Sequence, residues 1–564
     1  MASSDTAWEL EEGIPQVQDP FIQQYLRGRD SLILQEQKQR HDFNFRKALP
    51  PTAARACKII SQIRDRELHH VRSPGSNEQD ALPSTPTARH AGLLSLDKEK
   101  IESTDLWEVM RKFPKGSLLH APLHAAVNVD YLIDLAFSTP GIHVYADRHL
   151  AAPGDSTDAS FAFQYSLGTT KDTGDQPTMW SATYKPSSLV LLQSAASSFP
   201  NGGEEGFRVW LKGRCTPKPG YSDYHRRTMP IVNSLLSYEP ILRSCLKQVF
   251  TDLANDGIGY VELRNTFNFP YRKESKEVPE EDYGAWCHVF QEELAQFRET
   301  DVGQGFRGAR IIWSSRRSLS NRDLVEDMTQ CILAKCDYPE VICGFDIVGE
   351  GDERPLTDLV PILFWFRKQS VEEGVEIPFL FHAGESLRNE DEADQGLFDA
   401  ILLGSRRICQ GLSLHKHPLL MDLIKEKKIL VECSPLSDEI FGFTDSIQTH
   451  PLSVLLSRGV SVSLGADAPG LPGHSTGALT WQFWQAIQGL DSMGLAGLAM
   501  MVENSIRWSC YEDQPTGEWL CDLREGILGE GMRAKQLQEW YAEFEKFCEW
   551  VTQRFPEVEV DEAV

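Results

Sequence analysis

The sequence has no Asn-x-Ser/Thr acceptor, no Cys-x-x-Cys pair and no internal repeat, and no apolar run nears the roughly 18–20 residues that span a bilayer. The 12 cysteines sit singly in apolar runs such as "ARACKII", "VICGF" and "LVECSP", as buried thiols do in a reducing compartment. The start, "MASSDTAWELEEGIPQ", has neither the basic residues nor the apolar stretch of a secretory leader. A cytoplasmic protein with no membrane partner is expected. Positive charge is also scarce: 56 Lys and Arg against 82 Asp and Glu give a formal net charge of -26. Such a surface repels phosphate, which argues against nucleic acid as a partner and for a small-molecule substrate.

What is abundant is apolar material, 41% of 564 residues with 13 Trp and 27 Phe, enough for a large packed core. Residues 20–68 have helical spacing with a break at Pro50 and Pro51, which predicts a helical N-terminal extension. Residues 71–92, "VRSPGSNEQDALPSTPTARHAG", are rich in Pro and Ser and read as a linker. The expected division is therefore extension and linker over 1–100 and one larger domain over 101–564.

From about residue 105, short apolar runs alternate with helix-like segments, the mark of βα units and a parallel sheet. The runs are "SLLHAPLH", "YVELR", "ARIIWS", "VICGFDI", "PFLFHAGE", "RICQG", "ILVECSP" and "VSVSLGADAP". Eight is the number that closes a (β/α)8 TIM barrel, so the predicted fold class is α/β. "IHVYAD" is left out as the start of an insertion after the first βα unit, about 150–225, which holds Trp180 and Trp210 and reads as a mouth cover or an elaborated loop. Polar residues collect at the C-terminal ends of the runs: Arg264, Asp346, His382 with Glu385, Gln410, Glu432 and Asp467. That is the face on which such a barrel builds its active site. Near the C-terminus, "RAKQLQEWYAEFEKFCEWVTQRF" predicts a packed amphipathic helix.

In "PFLFHAGES", His382 ends a strand and Glu385 follows across an Ala-Gly turn. Neutral imidazole is a natural zinc ligand, and a nearby carboxylate can shuttle protons for an activated water. Asp467, in "VSVSLGADAPG", can complete a metal sphere from the opposite side. "GSLLHAPLHAAV" sets His120 and His124 on either side of Pro122, while His415 and His417 in "LHKHP" lie past a strand end, where structural roles are expected.

In order and spacing, "KGSLLHAPLHAAV", "GFDIVGE", "FLFHAGES", "SRRICQGLSLHKHPLL", "LVECSPLSDEIFG" and "HPLSVLLSRGVSVSLGADAPG" resemble the adenosine deaminase family over roughly residues 105–510. The N-terminal segment resembles the extension of the family's adenosine deaminase-related growth factor branch. The resemblance implies a barrel with one zinc ion per chain and a metal-activated water that adds to the ring carbon bearing the amine. A glutamate hydrogen-bonds a ring nitrogen and supplies a proton, and ammonia leaves. By matching position, His120, His382 and Asp467 are the implied metal ligands, Glu385 the catalytic glutamate and Gly349 a substrate-facing glycine; Asp346 and Glu385 are also expected to contact substrate.

Four positions depart from the family pattern. Pro122 stands where the second ligand histidine belongs, His124 where an aspartate follows it, Gln410 where a histidine orients the water, and Ala468 where a second aspartate stands. Proline offers no donor atom, and glutamine hydrogen-bonds without titrating. His124 is a poor substitute ligand: four extended residues span about 13 Å, whereas two ligands each about 2.1 Å from one zinc lie within about 4 Å of each other. Three protein ligands plus water remain a workable zinc sphere. The expected function is deamination of a purine nucleoside, adenosine to inosine plus ammonia, or of a related aminated ring compound. The alternative is a catalytically silent deaminase-fold binding protein. A homodimer through the N-terminal extension is expected in either case.

Overall fold

The computed structural model describes residues 8, 12–71, 98–150, 159–168, 178–216, 227–349, 354–388, 390–467 and 477–556. Beyond Val71 the expected linker lies outside the described residues, as do Ala468 and parts of the expected insertion. In chain order the strands are β1 (Ser117–Pro122), β2 (Ile142–Ala146), β3 (Phe161–Tyr165), β4 (Val190–Leu191), β5 (Tyr260–Asn265) and β6 (Gly308–Arg316). They continue with β7 (Ile342–Val348), β8 (His382–Ala383), β9 (Arg407–Gln410), β10 (Leu430–Cys433) and β11 (Val462–Leu464).

The eight predicted runs supply eight of these strands. They form two four-stranded parallel sheets, β1-β5-β6-β7 and β8-β9-β10-β11. Strands β5 and β7 are buried along their whole length, as parallel strands covered on both faces must be. Backbone hydrogen bonds run between the sheets at both ends: Leu380 N donates to Phe345 O (2.9 Å), and Ala466 N donates to His120 O (2.8 Å). The second contact needs Gly465, because a Cβ there would lie 2.8 Å from both the His120 Cβ and the Ser434 Oγ. Only a glycine lets the end of β11 come this close to β1.

"IHVYAD" belongs to neither sheet: β2 pairs antiparallel with β3 and β4. Beside this small sheet, Trp180 packs edge-on against Phe199 (4.9 Å between ring centres) and Trp210 (5.5 Å), and its Nε1 donates to Ala195 O (2.7 Å). The described part of 150–225 is therefore a folded element with an aromatic interior.

At the N-terminal side, helices cover Pro20–Gln37, Phe43–Ala48 and Pro51–Val71. Pro51 opens the last of these, where a missing N–H is no loss. Ala53, Ala56, Ile59, Ile60 and Ile63 form its buried face. The predicted C-terminal helix is Met532–Arg554, burying Leu537, Trp540, Phe544, Phe547 and Val551 at alternating three- and four-residue steps. Phe45 packs on it, with ring centres 5.8 Å from Phe544 and 6.5 Å from Trp540. Both sets join the same hydrophobic cluster as the strands. The helix Pro20–Gln37, by contrast, buries no residue. Among the described residues no helix is long and apolar enough to cross a membrane. All 12 cysteines are free, and all but Cys57, Cys336 and Cys521 are buried.

Candidate active site

The strand ends bring chemistry into one layer. His382, Cys409 and Glu432 are direct register partners across β8, β9 and β10. Paired residues of parallel strands point to the same face, so these three side chains project together on neighbouring strands about 4.8 Å apart. From the other sheet come His120 on β1, Glu262 and Arg264 on β5, and Asp346 on β7.

A chain of alternating charges runs through this layer. Glu262 meets Arg407 at 2.5 Å, Arg407 meets Glu432 at 2.5 Å, Glu432 meets Arg264 at 3.0 Å, Arg264 meets Asp346 at 3.0 Å, and Asp346 meets His382 at 2.7 Å. All six residues are buried, and buried charges of this kind persist only when paired and hydrogen-bonded. Burial works against ionisation of Asp346, yet His382 and Arg264 hold its carboxyl down at about 2. Burial likewise opposes ionisation of Glu432, and Arg264 and Arg407 bring it to about 2. Three carboxylates against two guanidiniums leave one surplus negative charge beside His382.

Asp346, expected to face substrate, is fully engaged inside the protein. Its Oδ2 takes His382 Nδ1 and Arg264 Nε, and its Oδ1 accepts the backbone N–H groups of His382 (3.0 Å) and Ile347 (2.8 Å). With Nδ1 tied to the carboxylate, Nε2 is the lone-pair nitrogen left to His382. Burial lowers the His382 pKa, but the Asp346 carboxylate beside it raises it overall. His120 is completely buried, and neither of its ring nitrogens makes a hydrogen bond. Its Nε2 lies 3.3 Å from Asp467 Oδ1, its Nδ1 3.6 Å from Glu432 Oε2, and its ring centre 5.0 Å from that of His382. Burial lowers the His120 pKa, favouring neutral imidazole.

Glu385 follows His382 across the predicted turn. Gly384 there has φ +70°, and a Cβ would strike Leu397 at 2.9 Å, so the turn requires glycine. Glu385 is buried with Oε1 making no hydrogen bond, and burial raises its pKa toward the protonated form. Gly349 ends β7 with φ +116°. Gln410 takes the left-handed conformation at φ +66°, and both of its buried amide atoms are without hydrogen bonds. Pro122 closes β1 and precedes the short helix Leu123–Ala126, which carries His124. His415 Nδ1 donates to Leu412 O (2.7 Å), and His417 Nε2 bonds Asp394 Oδ1 (2.8 Å).

Among the described residues, one group combines metal-capable atoms within 4.8 Å of one another: His120, His382 and Cys409. By sequence Cys409 is only one more buried thiol. Its signal is the two-residue step from Arg407, which puts both on one strand face. An imidazole with no hydrogen bond, a surplus negative charge and a donor set of imidazole, carboxylate and thiol suit a divalent cation of borderline softness such as zinc.

A parallel α/β scaffold whose strand ends gather these groups defines a candidate metal-dependent hydrolase. Residues 197–521 match the family model for adenosine deaminase. The chain belongs to the adenosine deaminase family, and with it to the hydrolases that act on carbon–nitrogen bonds. It is 24% identical over 431 residues to adenosine deaminase 2-A of Danio rerio, covering 74% of this chain and 79% of that one. To adenosine deaminase 2 of Dictyostelium discoideum it is 26% identical over 506 residues, covering 87% and 84%. These relatives fit the growth factor branch. Among solved structures, the N6-mAMP deaminase of arabidopsis is similar at a TM-score of 0.49 and 15% identity, covering 74% of this chain and 99% of that chain.

Proposed function

We propose that this chain is a zinc-dependent hydrolytic deaminase of a purine nucleoside, converting adenosine to inosine and ammonia, or of a closely related aminated ring. The observation that carries this reading is His120 at the end of β1, with Asp467 3.3 Å from its Nε2 and the His382 ring centre 5.0 Å from its own, so that two imidazoles and a carboxylate gather around it. Closure of the two sheets into a (β/α)8 barrel is part of the proposal, supported by the hydrogen bonds at both junctions. So is the division into an N-terminal helical extension over 1–100 and a barrel domain over 101–564.

His120, His382 and Asp467 would hold the metal, and zinc bound there supplies Lewis-acid activation of a water near neutral pH. Asp346 fixes the ring and tautomer of His382. Glu385, whose carboxyl burial pushes up from its ordinary value, hydrogen-bonds a ring nitrogen of the substrate and supplies a proton as the amine leaves. The glycine at 349 leaves room for substrate beside the backbone. Gln410 holds a water by hydrogen bond but cannot take its proton, which sets the rate about 10²–10⁴ below that of a site with a titrating base. The free, mostly buried cysteines support a reducing cytoplasm as the location. The exposed helix Pro20–Gln37 supports a homodimer seam.

A second reading, a silent binding protein of the same fold, is favoured by Pro122, Gln410 and Ala468, which stand where the family pattern has functional residues. Zinc analysis of untagged protein, with ammonia release assayed on adenosine and related aminopurine nucleosides, separates the two. About one zinc per chain, as expected of a catalytic site of this type, together with turnover sustains the deaminase. No metal after reconstitution and no turnover overturns it in favour of the binding protein.

A further inference from the structure

We infer that Cys409 is a metal ligand of this chain, its thiolate taking the place that Pro122 leaves empty. The inference rests on the proposed metal-dependent reading and goes beyond it by naming a ligand from a different strand and of a different chemistry.

Three observations carry it. The first is convergence: the ligand atoms of His120, His382 and Cys409 lie within 4.8 Å of one another. Two ligands of a tetrahedral zinc are roughly 3.3–3.7 Å apart, given bonds of about 2.0–2.3 Å, so side-chain adjustment of about 1 Å completes the set. The second is register. Cys409 is the cross-strand partner of His382, so the sheet itself holds the two donors side by side on one face. The third is that His120, fully buried in the same group, has no hydrogen bond at either nitrogen.

Burial, with the Glu432 and Asp346 carboxylates nearby, holds the Cys409 thiol well above its usual range while Arg264 pulls the other way, so the thiolate would form only as the metal binds. Arg264 Nη2 donates to the Cys409 sulfur, and the thiol donates onward to Glu432 Oε2 at 3.0 Å. On coordination the thiol gives up its proton to solvent, the S–H bond is replaced by a sulfur–metal bond, and Arg264 remains as a donor to the negative sulfur. The ligand lost with Pro122 is neutral, whereas a thiolate brings one negative charge, so the metal site would carry one positive charge less than with three imidazoles.

The test is X-ray absorption at the zinc edge of full-length, zinc-loaded protein, beside Cys409→Ser. A sulfur neighbour at about 2.3 Å that disappears in Cys409→Ser is expected. Should Cys409→Ser not fold, Cys433→Ser takes its place as the control, because Cys433 lies on the neighbouring strand outside the group; the sulfur neighbour should persist in that variant. Zinc bound with only nitrogen and oxygen neighbours overturns the inference and leaves the metal-dependent reading standing. So does a sulfur neighbour that survives Cys409→Ser or is lost in Cys433→Ser. Failure to bind zinc at all overturns both.

Discussion

Nδ1 of His382 lies 2.7 Å from Oδ2 of Asp346, and the same carboxylate accepts the backbone N–H of His382 through Oδ1. One acid thus holds both the ring and the chain that carries it. Asp346→Asn keeps the shape and loses the charge. Zinc affinity, measured by chelator competition, should fall about 10- to 100-fold, the usual cost of losing the partner of a ligand histidine. Unchanged affinity would remove Asp346 from this role.

Glu385 is expected to move protons and not to bind metal. Glu385→Ala should lower kcat by about 10²–10⁴ while zinc content stays as in the parent chain. Turnover at the parent rate would refute the assignment.

Gln410 is the proposed weak point of the chemistry. Histidine tolerates the left-handed conformation better than most residues, so Gln410→His should fold. It should raise kcat by about 10² or more by restoring a titrating base, and the pH–rate profile should gain an acidic limb. A lower kcat would show that the amide itself is needed.

Asp327 offers a pH test away from the site. It is half-buried beside β6, accepting from Trp313 Nε1 (3.2 Å) and from Ser315 Oγ, and loss of solvent around it pushes its carboxyl up to about 6. The native state therefore holds this proton more tightly than the unfolded chain does, and the contribution to stability falls as pH rises from about 4 through 6. Asp327→Asn should match the parent below pH 4 and exceed it above pH 6 by on the order of 3 kcal/mol, each tenfold change in proton affinity being worth about 1.4 kcal/mol. Unfolding midpoints at acid and neutral pH give the comparison; a gap that does not widen with pH would contradict it.

The helix Pro20–Gln37 leaves Phe21, Tyr25 and Leu32 exposed at 75%, 65% and 68%. Steps of four and seven residues put them on one face. If that face is the homodimer seam, Tyr25→Glu with Leu32→Glu should turn a dimer into a monomer by light scattering, with the melting temperature of the chain little changed. A dimer that persists would place the seam elsewhere.

The eight strands are legible in the sequence because each is a short apolar run, most of them with a polar group at the C-terminal end, as in "VICGFDI" and "PFLFHAGE". The C-terminal helix is legible because Trp540, Phe544, Phe547 and Val551 repeat at helical steps. Local pattern does not extend to pairing between strands distant in sequence. Arg264, Asp346 and Glu432 read as separate polar ends and Arg407 only as the first residue of a run, and only the sheet order joins the four into one buried chain of charge. For the same reason Cys409 is one buried thiol among 12 until register sets it beside His382. The interior of 150–225 is illegible because Trp180, Phe199 and Trp210 contact one another without any periodic spacing.

The apolar face of the helix Pro51–Val71 packs against the helix Met532–Arg554, about 460 residues further along the chain. During synthesis at about 5–20 residues per second, Ile59, Ile60 and Ile63 emerge from the ribosome tens of seconds before the surface that will cover them. For that interval the nascent chain carries an open hydrophobic stripe whose partner surface on Met532–Arg554 has yet to be made.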